Sequence, residues 1–467
     1  MPRLLLFVAL GALVASAAGA AWRHYLPRSF WYAIAFPARA IRVRLTWTHV
    51  ADSCGLAVRR RRWRWTLDAI PVAGHVTRAG RLISPRRRLR RVDLPHPPGL
   101  GLIRPNALGW QVKIRMRDGQ VPATYADAAE RLAHAWRVHA VRVTRSKPGR
   151  VWLVAVRSDP LTDVRPAPHS GDLLTVRAGM LETGMPWVID FRVVPHWLNA
   201  GATQSGKSNL ANAIIKGLAP QPLALVGFDL KGGVEFTPYA PRLSALATTR
   251  ADCTGLLDDL GLILACRMSL CREHGARNIW RLPEELRPVP VVVLVDEVAE
   301  LFLMADKSEK DEVSKTATGL LRLAQLGRAF GVYLVVSGQR IGSDLGPGVT
   351  ALRSQLSGRV CHRVNDPETA TMTLGDLDPA ALDAARAIPA ETPGVCVVAG
   401  QDGSWHRARS VLVTEDDAEL ATSRYRDLTP LWAAIIAGRP GPARSAVLPA
   451  LTAVPAIGPV PSRDDTG

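Results

Sequence analysis

The chain is short of lysine, of cysteine, of aromatic residues and, in its first fifth, of acids. Only eight of its 59 basic residues are lysine. Arginine enrichment of this kind also follows from a GC-rich coding sequence, so arginine content alone carries no function. Six cysteines (Cys54, Cys253, Cys266, Cys271, Cys361, Cys396) are scattered with no C-x-x-C pair. That spacing excludes a disulfide framework and a zinc ribbon, and fits reduced thiols. Residues 1–91 hold just two acids, Asp52 and Asp68, against 18 arginines. A basic arm on a nearly neutral body implies an anionic surface nearby, membrane lipid or nucleic acid. Hydrophobic residues at 47% and charged residues at 21% exclude wholesale disorder, collagen and coiled coil. At 467 residues there is material for two to three domains.

Long apolar runs are equally rare. The one candidate, Leu4 to Trp22, has 19 residues without a charge, just enough to cross a hydrocarbon core of ~30 Å as a helix. A secretory signal is the rival, because Ala15 to Ala20 resembles a cleavage region. Arg23, Arg28, Arg39, Arg42 and Arg44 follow directly, and such clusters stay cytoplasmic. A single-pass anchor at the cell membrane is therefore expected, with the body on the cytoplasmic side. Gly11, Ala15 and Gly19 form a small-residue stripe suited to helix packing. Ser29 to Pro37 is expected at the interface, with Trp31 and Tyr32 at headgroup level. Arg59–Arg62 with Arg64, and Arg86–Arg91, are dense clusters suited to anionic lipid or to DNA phosphate.

Five segments follow from these shifts in composition: 1–50 as membrane anchor and interfacial segment, 51–100 as basic linker, 101–180 as a small α/β domain, 181–415 as a motor, and 416–467 as a short helical and Pro/Ala-rich tail. In the small domain, Trp110 to Met116 alternates as a strand, Tyr125 to Val138 has helical spacing, and Val141–Val143 with Val151–Val156 reads as a hairpin. It shows no catalytic constellation and is expected to be a scaffold or oligomer contact.

The chemistry sits in the motor. Gly201, Ala202, Thr203, Gln204, Ser205, Gly206, Lys207 and Ser208 fit G-x-x-x-x-G-K-[ST]. The preceding His196–Ala200 is strand-like, and Ser208–Leu218 is helix-like up to Pro220. Glycines at these positions let backbone N–H groups face phosphates. Lys207 would reach the β and γ phosphates of ATP, and the Ser208 hydroxyl would hold Mg²⁺. Val289–Val295 is a continuous apolar run ending in Asp296 and Glu297, as a buried parallel strand requires. Asp296 would complete the Mg²⁺ shell, and Glu297 would orient and deprotonate the attacking water. A third buried run, Gly331–Gly338, ends at Gln339, which would sense the γ phosphate.

Taken together these residues resemble the FtsK/SpoIIIE DNA translocases, and in style the TraB-like transfer proteins of actinobacterial plasmids and integrative elements. The resemblance runs from Pro195 to Val398. It includes Asp229–Glu235, Val295–Leu301, Arg322–Gly331, Ser337–Arg340 and Leu374–Asp376. It implies an α/β, RecA-like P-loop motor with a parallel central sheet, working as a homo-hexamer around double-stranded DNA. Membrane lipid and further transfer proteins join the implied partners. It makes Arg328 the first choice for an arginine finger in the neighbour's ATP site, with Arg359 second, and sets Lys231 and Glu235 as a pair for coupling or subunit contact. Two departures stand out. Ser337-Gly338-Gln339-Arg340 lacks the proline that the family usually has next. Only 54 residues follow Val413, so no winged-helix reader, and hence no sequence-specific loading, is expected of this chain. Chromosome segregation, a coupling or secretion ATPase acting on protein or single-stranded DNA, and a non-hydrolysing regulatory ring remain alternatives.

Overall fold

The computed structural model describes residues 17–438, except 78–79, 107, 167–170, 304–305, 307–308, 340–341, 343–345, 347, 376–378 and 401–402. For residues 27, 28, 62 and 64–90 it describes the backbone alone. The chain forms two units, Met1–Thr162 and Asp163–Gly467.

In the first unit, helix α1 (Phe36–Ser53) follows a π-helical turn at Trp31–Ala35. Strands β1 (Val58–Thr77) and β2 (Gly80–His96) pair as a two-stranded antiparallel ribbon. Strands β3 (Gly99–Pro105), β4 (Gly109–Arg115), β5 (Ala140–Lys147) and β6 (Arg150–Val156) form an antiparallel sheet in the order β3-β4-β6-β5. Between β4 and β5 lie α2 (Pro122–Asp127) and α3 (Ala129–Trp136), so the helical spacing of Tyr125–Val138 resolves into two short helices. Alternation divides the sheet. Trp110, Val112 and Ile114 on β4 and Val151, Leu153 and Ala155 on β6 point inward, and α1 and α3 cover them with Trp47, Val50, Leu132 and Trp136. Each such side chain removed from water contributes about 1.5–3 kcal/mol.

Three expectations change here. Trp31 is not free for lipid headgroups: it is buried in this core, with the Arg157 guanidinium 4.8 Å from its ring centroid. An apolar sheet face was available to it, and that face satisfies an aromatic segment as well as a bilayer interface does. Residues 58–96 are not a linker but the ribbon, whose register sets Arg64 opposite Arg90 and Leu67 opposite Arg87. The 1–50 and 51–100 boundaries therefore dissolve into one unit. As for the span, among the described residues no helix is long and apolar enough to cross a membrane. Positions 4–16 of Leu4–Trp22, with Gly11 and Ala15, lie outside the described residues.

The second unit is built on a ten-stranded sheet. Its strands are β7 (Thr175–Leu181), β8 (Pro186–Asp190), β9 (His196–Ala200), β10 (Ala224–Phe228), β11 (Leu243–Ala247), β12 (Val291–Val295), β13 (Val332–Gly338), β14 (Gly358–His362), β15 (Val395–Ala399) and β16 (Trp405–Ser410). Their order is β11-β10-β12-β13-β9-β14-β15-β16-β7-β8. The first six run parallel, and from β14 onward every pairing is antiparallel. The expected parallel sheet is thus the core of a larger mixed one. The parallel strands are apolar on both sides because both sides are covered. Val291, Val293 and Val295 face α5 (Arg250–Glu273) and α7 (Lys310–Phe330). Val292 and Leu294 face the layer of α4 (Lys207–Leu218).

The motor boundaries move outward at both ends. Residues 163–180 include β7, which pairs with β16, so they belong to this unit rather than to the small domain. The helices α11 (Glu415–Arg424) and α12 (Trp432–Ile436) are not a tail. Asn209 on α4 donates to Val411 O at 2.8 Å and accepts from Val413 N at 2.8 Å. Trp432 donates to Asp259 at 2.9 Å, and Ile435 enters the core. The Pro/Ala-rich stretch from 439 lies outside the described residues.

Candidate functional site

The sheet order places the chemistry. β13 inserts between β9 and β12, so the carboxyl ends of three neighbouring strands deliver the phosphate loop, Gln339, and Asp296 with Glu297 to one edge. Ligands of open α/β sheets collect at that edge. A cavity of about 300 Å³ opens there. The phosphate loop lines it together with Lys231, Glu235, Asp296 and Gln339.

The loop is held from three sides. Ala202 N–H donates to Arg363 O at 2.8 Å, Gly394 N–H donates to Ser205 O at 2.9 Å, and Gly201 N–H donates to Gly338 O at 3.3 Å. Gly206 has φ 114°, and a Cβ there would meet the Gly394 backbone at 2.5 Å. At Gly201 a Cβ would meet His362 and Ser205 at 2.6 Å. Neither position accepts a larger residue without moving the loop. Helix α4 starts at Lys207 with no side-chain cap, so its first N–H groups are left for an anion. The backbone cradle and the lysine fit a nucleotide triphosphate.

Lys207 Nζ donates to Gly201 O at 2.6 Å. Burial lowers its pKa, and the nearby Glu297 charge opposes that. Glu297 is buried. Its Oε1 accepts from Gln339 N–H at 3.2 Å, while its Oε2 is buried with no hydrogen-bond partner among the described residues. Burial raises the Glu297 pKa against the pull of Lys207 and of the Gln339 N–H.

Lys231 and Glu235 line the same cavity as the phosphate loop. The fully buried Asp229 folds the turn that carries them, its carboxylate accepting from the N–H groups of Lys231, Glu235 and Phe236 at 3.1, 2.8 and 3.0 Å. Lys231 Nζ meets Asp296 Oδ2 at 2.7 Å. Burial works against the Lys231 charge, but the hydrogen bond to Asp296 and three nearby carboxylates raise its pKa. Glu235 is raised by burial and then by the Asp296 charge. Among the described residues no cluster of three His, Cys, Asp or Glu could hold a metal by itself. A magnesium ion therefore fits here only in the usual way, shared between substrate phosphates, the Ser208 hydroxyl and Asp296.

Asn199 and His362 are participants that the sequence reading passed over. Asn199 donates to Lys207 O at 3.3 Å and to Ser337 Oγ at 3.2 Å, and its Oδ1 lies 3.1 Å from His362 Nε2. It ties β9, β13 and β14 together beneath the loop. Burial, then the Lys207 charge, lowers the His362 pKa to about 3, so its imidazole is neutral. The one available signal was an amide at a fully buried strand position, just before the phosphate loop.

The two finger candidates part ways. Arg359 donates to the carbonyls of Leu356, Thr373 and Arg353 at 3.0, 2.7 and 3.1 Å. That guanidinium braces its own fold, which removes it as second choice. Arg328 lies near the end of α7, just before β13 begins. It therefore sits at the opposite end of the sheet from Gln339, separated by a strand roughly 20 Å long. There it lines a second cavity of about 770 Å³ with Arg192, Arg277 and Arg281. It is not brought to its own protomer's phosphate loop. Arg340 and Asp376 lie outside the described residues.

Comparison with known proteins agrees with this division of the chain. Residues 17–157 match the actinomycete conjugal transfer protein N-terminal domain, and residues 160–288 and 279–343 match the FtsK/SpoIIIE family. The chain is 40% identical over 412 residues to the transfer protein TraSA of Streptomyces ambofaciens, covering 86% of this chain and 95% of that one. It is 32% identical over 208 residues to a DNA translocase FtsK of Helicobacter pylori, covering 42% of this chain and 24% of that one. Among solved structures, the pCW3 conjugation coupling protein TcpA shares the fold with a TM-score of 0.51 at 21% identity, covering 68% of this chain and 90% of that one. The chain belongs to the FtsK/SpoIIIE family of P-loop ATPases, its motor preceded by the N-terminal domain of actinomycete conjugal transfer proteins.

Proposed function

We propose that this ATPase is a membrane-anchored translocase of double-stranded DNA, serving transfer of a conjugative plasmid or integrative element and acting as a homo-hexamer. One observation carries the reading. A cavity lined by Lys207, Ser208, Asp296 and Gln339, with the buried Glu297 held behind it by the Gln339 N–H, stands in the same chain as a transfer-protein domain. A regulatory ring that does not hydrolyse ATP has no need for a buried, half-satisfied carboxylate beside its phosphate loop. The double-stranded substrate is argued from the likeness to DNA translocases. Ring assembly is argued from the likeness to DNA translocases, and it gives Arg328 a place: at the far end of its own sheet, Arg328 could reach an ATP site only in an adjacent protomer.

The chemistry follows from the chain's own groups. The loop amides and Lys207 bind and orient the triphosphate. Glu297 Oε2 takes the proton of the attacking water. The Gln339 backbone holds the other Glu297 oxygen, which couples the base to β13, and β13 begins beside Arg328. A magnesium ion, when bound at Ser208 and Asp296, neutralises phosphate charge. Chromosome segregation would use the same motor. A coupling ATPase is the second reading, favoured by the shared fold with a conjugation coupling protein.

Displacement of a third strand from linear duplex DNA tests the assignment. Steady ATP-dependent displacement is expected. ATP consumption unaffected by duplex, with no displacement, would end it, and stimulation by single strands or protein instead would favour the coupling reading. The anchor has its own test. Deleting residues 1–22 is expected to move the protein from the membrane to the soluble fraction, and a truncated chain that still sediments with membranes after a high-salt wash would refute a single anchor at Leu4–Trp22.

A further inference from the structure

We propose that the outward face of the β3-β4-β6-β5 sheet is a docking surface for the phosphate backbone of duplex DNA. The inference rests on the DNA reading above and gives the first unit a role in it. Alternation that sends Trp110, Val112 and Ile114 into the core sends Gln111, Lys113 and Arg115 outward. On β6 the outward residues are Arg150, Trp152 and Val154, and the register sets Gln111 opposite Val154, Lys113 opposite Trp152 and Arg115 opposite Arg150. Beyond β6, Arg145 pairs with Trp152 and Lys147 with Arg150. Arg104 on β3 extends the surface across from Gln111. No strand position on this face is acidic.

Two features separate this surface from an ordinary solvated sheet. One is uncompensated charge. Arg115, Arg150 and Lys147 lie directly across from one another on three adjacent strands, an arrangement that destabilises the unliganded sheet. Arg104, Lys113, Arg115, Arg145, Lys147 and Arg150 form no ion pair among the described residues. The other is shape. Gly99 and Gly101 on β3 give the face a hollow of about 650 Å³, bounded by Leu102, Arg104, Lys113 and Trp152. The Lys113 ammonium stands 5.4 Å from the Trp152 ring centroid, which fixes a charge near the middle of the face.

A row of fixed cations over a concave floor suits a phosphate backbone better than a bilayer. Surfaces that insert into lipid project apolar side chains beyond their charges, and here Leu102 is the one large exposed apolar residue bounding the hollow. Trp152 is half-buried with a cation at its ring, so the contact is electrostatic, not base stacking.

The test measures binding of the purified full-length protein to a labelled duplex by fluorescence anisotropy, from ~50 to ~200 mM salt. For K113A/R115A/R150A the slope of log affinity against log salt is expected to fall by about 2.7, with affinity at least about tenfold weaker. K113R/R115K/R150K is expected to keep the parent slope. The same loss in this charge-preserving variant would mean a folding effect and overturn the proposal. R386A/R424A/R426A removes equal charge elsewhere. An equal fall there would reduce the effect to net charge and overturn it too. Loss of binding only to a single strand, or only to phosphatidylserine vesicles, would replace duplex DNA with that partner. A parent that binds duplex while the alanine variant keeps its slope refutes this surface and leaves the motor reading standing, whereas a parent that binds no duplex refutes both.

Discussion

Lys207→Ala is expected to lower ATP turnover about 10³-fold while leaving duplex binding near the parent value. The lysine is the one cation whose ammonium sits within the phosphate loop, donating to Gly201 O at 2.6 Å from the first turn of α4. The transition state of phosphoryl transfer gathers charge on the terminal phosphate, and removing a single preorganised donor from such a site typically costs 10²–10³. A full positive charge in a partly desolvated pocket lies at or beyond the upper end of that range. Loop geometry should survive, because Gly201, Ala202 and Ser205 are held by the backbone of Gly338, Arg363 and Gly394. Single-turnover hydrolysis with parallel duplex titration checks both halves. Turnover equal to the parent would show that this loop does not do the chemistry. Loss of duplex binding with intact turnover would separate DNA contact from the ATP cycle.

The site was legible in the sequence to the extent that its chemistry is local. The phosphate loop, its strand and its helix are contiguous, so spacing alone located the strand at His196–Ala200 and the helix at Ser208–Leu218, one residue short of its observed start. The acids at 296–297 were legible because a run buried on both faces is continuously apolar and ends abruptly in charge. What escaped depends on contacts between distant segments. Asn199 acquires its role from Ser337 and His362, 138 and 163 residues away. The ion pair of Lys231 with Asp296 at 2.7 Å was not legible, because only the fold brings residues 65 positions apart together.

The same limit governed the fold. The central parallel strands β10, β12 and β13 carry apolar runs, whereas β7, β8 and β16 are half-exposed strands with ordinary alternation, and their place is set by partners far along the chain. In the first unit, apolar content could not tell a bilayer interface from a protein core for Trp31. The outward face of β4 and β6 was hidden for a related reason. Lys113, Arg115 and Arg150 are unexceptional one strand at a time, and become a charged surface only once register aligns them.

Glu297→Gln is expected to lower turnover by about 10²–10⁴-fold with ATP binding preserved, and its pH dependence distinguishes a proton acceptor from a structural residue. The carboxyl group is buried, one oxygen held by the Gln339 N–H and the other without a partner among the described residues. Burial penalises its ionised form and raises its pKa above the ordinary carboxylate value, while Lys207 and Lys231 pull it back. A general base acts deprotonated. Parent turnover should therefore rise with pH as Glu297 loses its proton, along an acid limb placed above the range of an exposed glutamate, and should fall as pH drops through that value. The amide has no such proton, so the residual activity of Glu297→Gln should lack the limb. Lys231→Met removes a charge that lowers the Glu297 pKa, and the limb of that variant should shift to higher pH. A pH profile of single-turnover hydrolysis for the three proteins reads all of this. If the limb persists unchanged in Glu297→Gln, another group takes the proton, and the carboxylate beneath Gln339 serves only to tie β12 to β13.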